Sequence, residues 1–210
     1  MEIKENSNFK IKLCVSGAAE TGHCGAAAFD IAEELGREIA KHDAILVTGA
    51  TTGFPLQAAK GAKEAGGISI GFSPASSEYE HRNIYRLPVD YMDLMVYTGF
   101  GYPGRDLFLT RASDAVLIGC GRIGTIHEFT VAYEDKKPIG ILEGDWTMDE
   151  TIRTIMERSN RHNDKVVFDT DPARLVEKVI ELVKKDKEGI NRAYKNSEDF
   201  NGDYCVDRIF

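Results

Sequence analysis

Three side-chain types at fixed spacing suggest chemistry first. Gly119, Gly121 and Gly124 follow the apolar run Ala115–Ile118, and Thr125 and Glu128 come straight after them. A glycine-rich turn between a strand and a helix aims free backbone N–H groups and the positive end of a helix dipole at one point. Phosphates bind at such points. Glu128 stands one helical turn further in, placed to hold sugar hydroxyls or activate water. Arg105 follows the glycine-rich segment Gly99–Gly104 and suits bidentate contact with phosphate or carboxylate. Arg122 lies inside the glycine turn, where it either meets the same anion or points outward.

Other readings of these residues stay open. Gly119, Gly121 and Gly124 also fit G-x-G-x-x-G, with Glu143 nineteen residues after the last glycine. That is the pattern of a dinucleotide site in which the acid grips a ribose, and it keeps an NAD-dependent enzyme as an alternative. Thr125-x-x-Glu128 equally reads as a capping box that closes a helix start. Arg111 on the same short helix as Arg105, and Lys60 and Lys63 on an alanine-rich helix, read as solvated surface. Tyr79, Tyr85 and Tyr91 are candidates for stacking on a base or for packing.

The elements that must position these groups alternate strand and helix. Strands are expected at 10–15, 44–48, 68–72, 93–97, 115–118, 138–142 and 165–168. Helices are expected at 26–41, 54–65, 105–112, 124–134 and 146–159, with a last one opened by Thr170-Asp171-Pro172. Residues 73–92 are polar and aperiodic, and 98–104 read as a loop. The pattern predicts an α/β fold, a Rossmann-like three-layer sandwich with a mainly parallel central sheet. One nucleotide-binding domain is expected over 1–190, with a C-terminal tail over 191–210. Ligands of such sheets sit at the carboxyl ends of the strands, where the glycine turns after the strands gather, Gly17, Gly49 and Gly53 among them.

Composition narrows the partners. The chain has 210 residues, 42% hydrophobic and 29% charged, with a net charge of −8. An acidic balance argues against a nucleic-acid surface. The absence of a leader and of a long apolar run predicts a cytoplasmic protein with no membrane partner. The four cysteines, Cys14, Cys24, Cys120 and Cys205, form no C-x-x-C pair, so neither a disulfide nor a zinc site is expected. His23-Cys24 lacks a companion cluster, and no metal and no cofactor are predicted.

Together these residues resemble the LOG (Lonely Guy)/SLOG superfamily, whose members often carry the label "lysine decarboxylase". The family pattern P-G-G-x-G-T-x-x-E falls on Gly119 to Glu128, and Asp114 fixes the register that matches the family's arginine to Arg105. Cys14-Val-Ser-Gly17, Val47-Thr-Gly49 with Gly53, and Glu64–Gly67 fall in family order. The resemblance implies a nucleoside 5′-monophosphate phosphoribohydrolase, with Arg105 and Glu128 catalytic. Gly17, Gly49, Gly53, Gly119, Gly121, Arg122, Gly124 and Thr125 would hold the ligand. Thr98-Gly99 followed by Arg105 is similar to the branch containing the molybdenum-cofactor carrier, which implies a phosphorylated pterin bound without hydrolysis. Family relatives imply a homodimer or homotetramer. Decarboxylation would need pyridoxal phosphate on a Schiff-base lysine, and no lysine here has that setting. The chain departs from the family at Ala18 and Ala19 in place of serines, at Arg122 in place of the second glycine, and at Asp106 beside the key arginine.

Overall fold

The computed structural model describes residues 9–196, with side chains described through residue 189. In chain order the elements are β1 Lys12–Ser16, α1 Ala28–Lys41, β2 Ile45–Thr48, α2 Phe54–Glu64, β3 Ile68–Ser73, a π-helical turn Glu80–Ile84, β4 Leu94–Tyr97, α3 Gly101–Ala112, β5 Ala115–Ile118, α4 Ile123–Glu134, β6 Ile139–Leu142, α5 Met148–Arg158, β7 Val166–Asp169 and α6 Pro172–Asn196. The segment Tyr204–Phe210, including Cys205, lies outside the described residues.

Seven strands form one sheet in the order β4-β3-β2-β1-β5-β6-β7, and every pair is parallel. The expected Rossmann-like α/β fold is therefore present. Its centre is apolar on both faces, which is why β5 and β6 read as unbroken apolar runs: all their residues are buried. Helices on the two faces complete the core through Ala32, Leu35 and Ile39 of α1, Phe129 of α4, and Leu175, Val176 and Val179 of α6. Among the described residues, no helix is long and apolar enough to cross a membrane.

The strand order reverses between β1 and β5, because β2 follows β1 on one side and β6 follows β5 on the other. At such a point the connections leave in opposite directions and open a crevice above the strand ends. Gly17 and Gly119-Cys120 directly follow the two strands on either side of it. Phe54, at the start of α2, is wedged under both turns. A Cβ at Gly17 would lie 2.8 Å from its side chain, and one at Gly119 would lie 2.2 Å from it. The expected helix at 105–112 starts earlier, at Gly101, so Gly-Tyr-Pro-Gly is its first turn and not a loop. Proline is tolerated there because first-turn N–H groups have no intrahelical partner. In the aperiodic segment His81 is fully buried, 2.8 Å from Ser73 Oγ and 2.9 Å from the Pro88 carbonyl.

Candidate functional site

A cavity of about 290 Å³ opens at the β1/β5 crevice. Its lining includes Ser16 and Gly17 after β1, Gly49 and Thr51 after β2, Tyr102, Arg105 and Asp106 on α3, and Arg122, Gly124, Thr125 and Glu128 on α4. The two residues that sequence reasoning named as catalytic, Arg105 and Glu128, thus face one space. Gly17, Gly49, Arg122, Gly124 and Thr125 face it with them. Gly53, Gly119 and Gly121 are not part of the lining. Gly53 (φ 72°) passes against the Ala18 carbonyl, Gly119 against Phe54 and Gly121 against Thr125. These three shape the loops around the cavity and do not border it.

The mouth of α4 supplies donors. The first helical hydrogen bond runs from Ile126 N–H to the Arg122 carbonyl, so the N–H groups of Ile123, Gly124 and Thr125 precede it. Thr125 is the third residue of the helix, not its cap, and its Oγ1 accepts from Arg122 N–H at 3.4 Å. The Thr125–Glu128 capping box is therefore absent: Glu128 turns inward. By contrast, Phe54 N–H at the start of α2 is spent on the Ala18 carbonyl. The turn after β2 therefore offers less to an anion than the turn after β5.

Arg105 is held on the second turn of α3 with its side chain only 6% exposed. It reaches across β2 to place Nη1 3.5 Å from the Phe72 carbonyl, and its guanidinium lies 5.7 Å from the Tyr102 ring centre. Glycine at position 49 is required for this reach, since a Cβ there would lie 1.5 Å from Nη1. Arg105 Nε sits 3.1 Å from Asp106 Oδ1, but the angle is wrong for a hydrogen bond and that buried N–H has no acceptor. A buried donor left without a partner is costly unless a ligand supplies one.

Asp106 is the hub that sequence motifs did not foresee as a site residue. Its Oδ2 lies 3.0 Å from Nδ1 of His127, one residue before Glu128 on α4. Its negative charge also acts on Glu128. Glu128 in turn accepts a hydrogen bond from Ser16 Oγ. Burial pushes the Glu128 carboxyl up to about 7, and neighbouring Asp106 pushes the same way, while Arg105 and the Ser16 hydroxyl oppose them. Near neutral pH, Glu128 is thus a carboxyl poised between donor and acceptor. Ser16 carried one legible signal: it ends the first strand of a parallel sheet. His127 carried none, because its role depends on the neighbouring helix.

Other candidates lie elsewhere. Glu143, directly after β6, pairs with Arg153 Nη2 at 2.6 Å and does not line the cavity, so the acid of a dinucleotide pattern is already engaged. Arg122 lines the cavity and pairs with Glu20 at 2.5 Å. Arg111 pairs with Asp135, Lys60 with Glu33, Lys63 with Asp93. Tyr85 packs edge-on against Tyr102. Asp114 sits at the opposite end of β5, bound to Lys12 N–H at 2.7 Å.

One expectation is overturned outright: Cys24 and Cys120 form a disulfide. They are 96 residues apart, beyond any local motif. Adjacency of β1 and β5 brings the loops that follow them side by side.

A parallel seven-stranded sheet with a cavity at its switch in strand order, lined by Arg105 and Glu128, defines a Rossmann-like α/β protein. Comparison with known proteins narrows the class. The SLOG cluster4 family model matches residues 10–176, and the chain belongs to that family. An uncharacterized protein of Archaeoglobus fulgidus is 29% identical over 133 residues, 63% of this chain and 82% of that protein. The molybdenum cofactor binding protein from Rippkaea orientalis is similar with a TM-score of 0.67 and 28% identity, over 86% of this chain and 99% of that one. The molybdenum cofactor carrier protein from Chlamydomonas reinhardtii has a TM-score of 0.66 and 28% identity, over 84% and 99%.

Proposed function

We propose that this protein binds a small phosphate-bearing ligand, a phosphorylated pterin or a nucleoside monophosphate, and holds it without cleaving it. The phosphate would take the N–H groups at the start of α4, with Arg105 supplying the counter-charge. The observation that carries the reading is Asp106. Buried beside Arg105 and bonded to His127, it sets a negative charge against both groups that hydrolysis would need. A carboxylate beside Arg105 weakens the field that would stabilise charge developing on a departing base. Similarity to molybdenum cofactor carriers over most of the chain supports the same reading. As the family resemblance implies, the protein would act as a homodimer or homotetramer.

One observation favours a second reading, a nucleoside 5′-monophosphate phosphoribohydrolase. A buried glutamate near 7 is suited to proton transfer at neutral pH, and it would act on water as the sugar gains oxocarbenium character. Native mass spectrometry of freshly purified protein, followed by incubation with nucleoside monophosphates, separates the two. Retention of a phosphorylated ligand at one per chain, with no ribose 5-phosphate released, is expected. Steady release of ribose 5-phosphate, lost in Glu128→Gln, would establish the hydrolase.

A further inference from the structure

Cys24, Cys120 and His23 meet where the loop after β1 faces the glycine turn after β5. His23 Nε2 lies 3.5 Å from the Cys120 sulfur and 4.0 Å from the Cys24 sulfur. The same nitrogen lies 3.1 Å from the Gly121 carbonyl. Cys120 is fully buried, Cys24 half-buried and His23 exposed, so the cluster runs from the interior to solvent. The sulfurs themselves are joined in the disulfide.

We propose that, with this disulfide reduced, Cys24, Cys120 and His23 form a three-ligand site for a thiophilic divalent cation of the zinc type. The distances fit that chemistry. Tetrahedral zinc with sulfur at about 2.3 Å and imidazole nitrogen at about 2.0 Å sets sulfur–nitrogen separations of about 3.5 Å and a sulfur–sulfur separation of about 3.8 Å. Both nitrogen–sulfur distances are already at or near that value. Only the sulfurs must part, and breaking their bond lets them. Two thiolates and one imidazole are also the donor set that thiophilic cations select.

The balance is simple. Two equivalents of a monothiol reductant open the disulfide to two thiols and leave as one disulfide. The cation then displaces two thiol protons. His23 gives up its contact with the Gly121 carbonyl and presents the Nε2 lone pair, its proton moving to Nδ1. A fourth position faces a solvent-open depression lined by Glu20, Gly22, His23, Gly121 and Arg122, where water completes the shell. Disulfide and metal are mutually exclusive, and each ties the loop after β1 to the glycine turn after β5.

The test uses the full-length protein, reduced with a phosphine, freed of metal by a chelator, desalted without oxygen and titrated with Co²⁺ alone. One equivalent is expected to give thiolate-to-cobalt charge-transfer absorption and tetrahedral d–d bands, both abolished by Zn²⁺. His23→Ala should weaken Co²⁺ binding at least tenfold. The double variant Cys24→Ser/Cys120→Ser should lose the charge-transfer band, and Cys24→Ala, altering only the loop cysteine, gives the same result should the double variant not fold. Cys14→Ser/Cys205→Ser should keep it. Protein oxidised with a small disulfide should take up no cobalt until reduced. A reduced wild type without the band, a band that survives Cys24→Ala, or unchanged affinity in His23→Ala overturns the proposal.

Discussion

Glu128 on α4 reaches across the crevice to accept a hydrogen bond from Ser16 Oγ at the end of β1, joining the two strand–helix units that flank the switch in strand order. Burial raises that carboxyl from 4.5 to about 7. A group whose folded-state pKa is raised keeps its proton in the folded protein after the unfolded chain has lost it. Its stabilising contribution is full below about 4.5 and is lost as pH rises to about 7. Glu128→Gln removes this dependence. Urea unfolding should show the variant gaining on the wild type between pH 5 and pH 8, by on the order of 3 kcal/mol. Parallel stability curves for the two proteins would refute the buried, protonated glutamate.

Gly49 makes room for the Arg105 guanidinium, and a methyl group there would overlap Nη1. Gly49→Ala should push Arg105 off the Phe72 carbonyl. The fold should survive at a cost of about 1–3 kcal/mol. Affinity for a nucleoside monophosphate, measured by calorimetry, should fall at least tenfold, about 1.4 kcal/mol. Undiminished affinity would show that Arg105 does not meet the ligand.

Asp106 offsets the charge of Arg105 within the cavity. Asp106→Asn keeps the shape and removes the negative charge. Binding of ribose 5-phosphate should tighten about tenfold, since an adjacent like charge on the wall no longer repels the anion. Weaker binding would assign Asp106 to ligand contact through His127.

Asp169 closes β7 and anchors α6. It accepts from Asp171 N–H at 2.9 Å and pairs with Arg174 at 2.6 Å and Lys178 at 2.7 Å. The Arg174 and Lys178 hydrogen bonds hold its carboxyl well below the usual carboxylate range. Stability from a depressed carboxylate is present above the unfolded value of 3.8 and is lost as pH falls below it. Asp169→Asn should therefore lower stability by about 2 kcal/mol at neutral pH, with the difference closing in acid. A constant gap down to the acid transition would assign the loss to shape alone.

The strands and most helices were legible because parallel strands buried on both faces leave continuous apolar runs, and helix faces repeat at their own period. The start of α3 was not, since Gly-Tyr-Pro-Gly carries loop chemistry yet fits a first turn. Arg105, Glu128 and the Gly124-Thr125 turn were readable because each sits directly after a strand or on the helix that follows one. The Asp106–His127 contact and the Cys24–Cys120 bond were not. Each joins residues whose proximity is created only by neighbouring helices or strands, and local spacing holds no trace of it. The glycines divided for a related reason. Gly124 faces open space, whereas Gly119 is glycine to clear the Phe54 ring, and a motif cannot tell these apart.

The central claim is that an anion sits at the head of α4 with Arg105 and Glu128 beside it. A crystal structure with ribose 5-phosphate bound tests it most directly. The phosphate should lie against the amides of Gly124 and Thr125, and the sugar between Arg105 and Glu128. A phosphate seated elsewhere, or a cavity left empty at saturating ligand, would contradict the account.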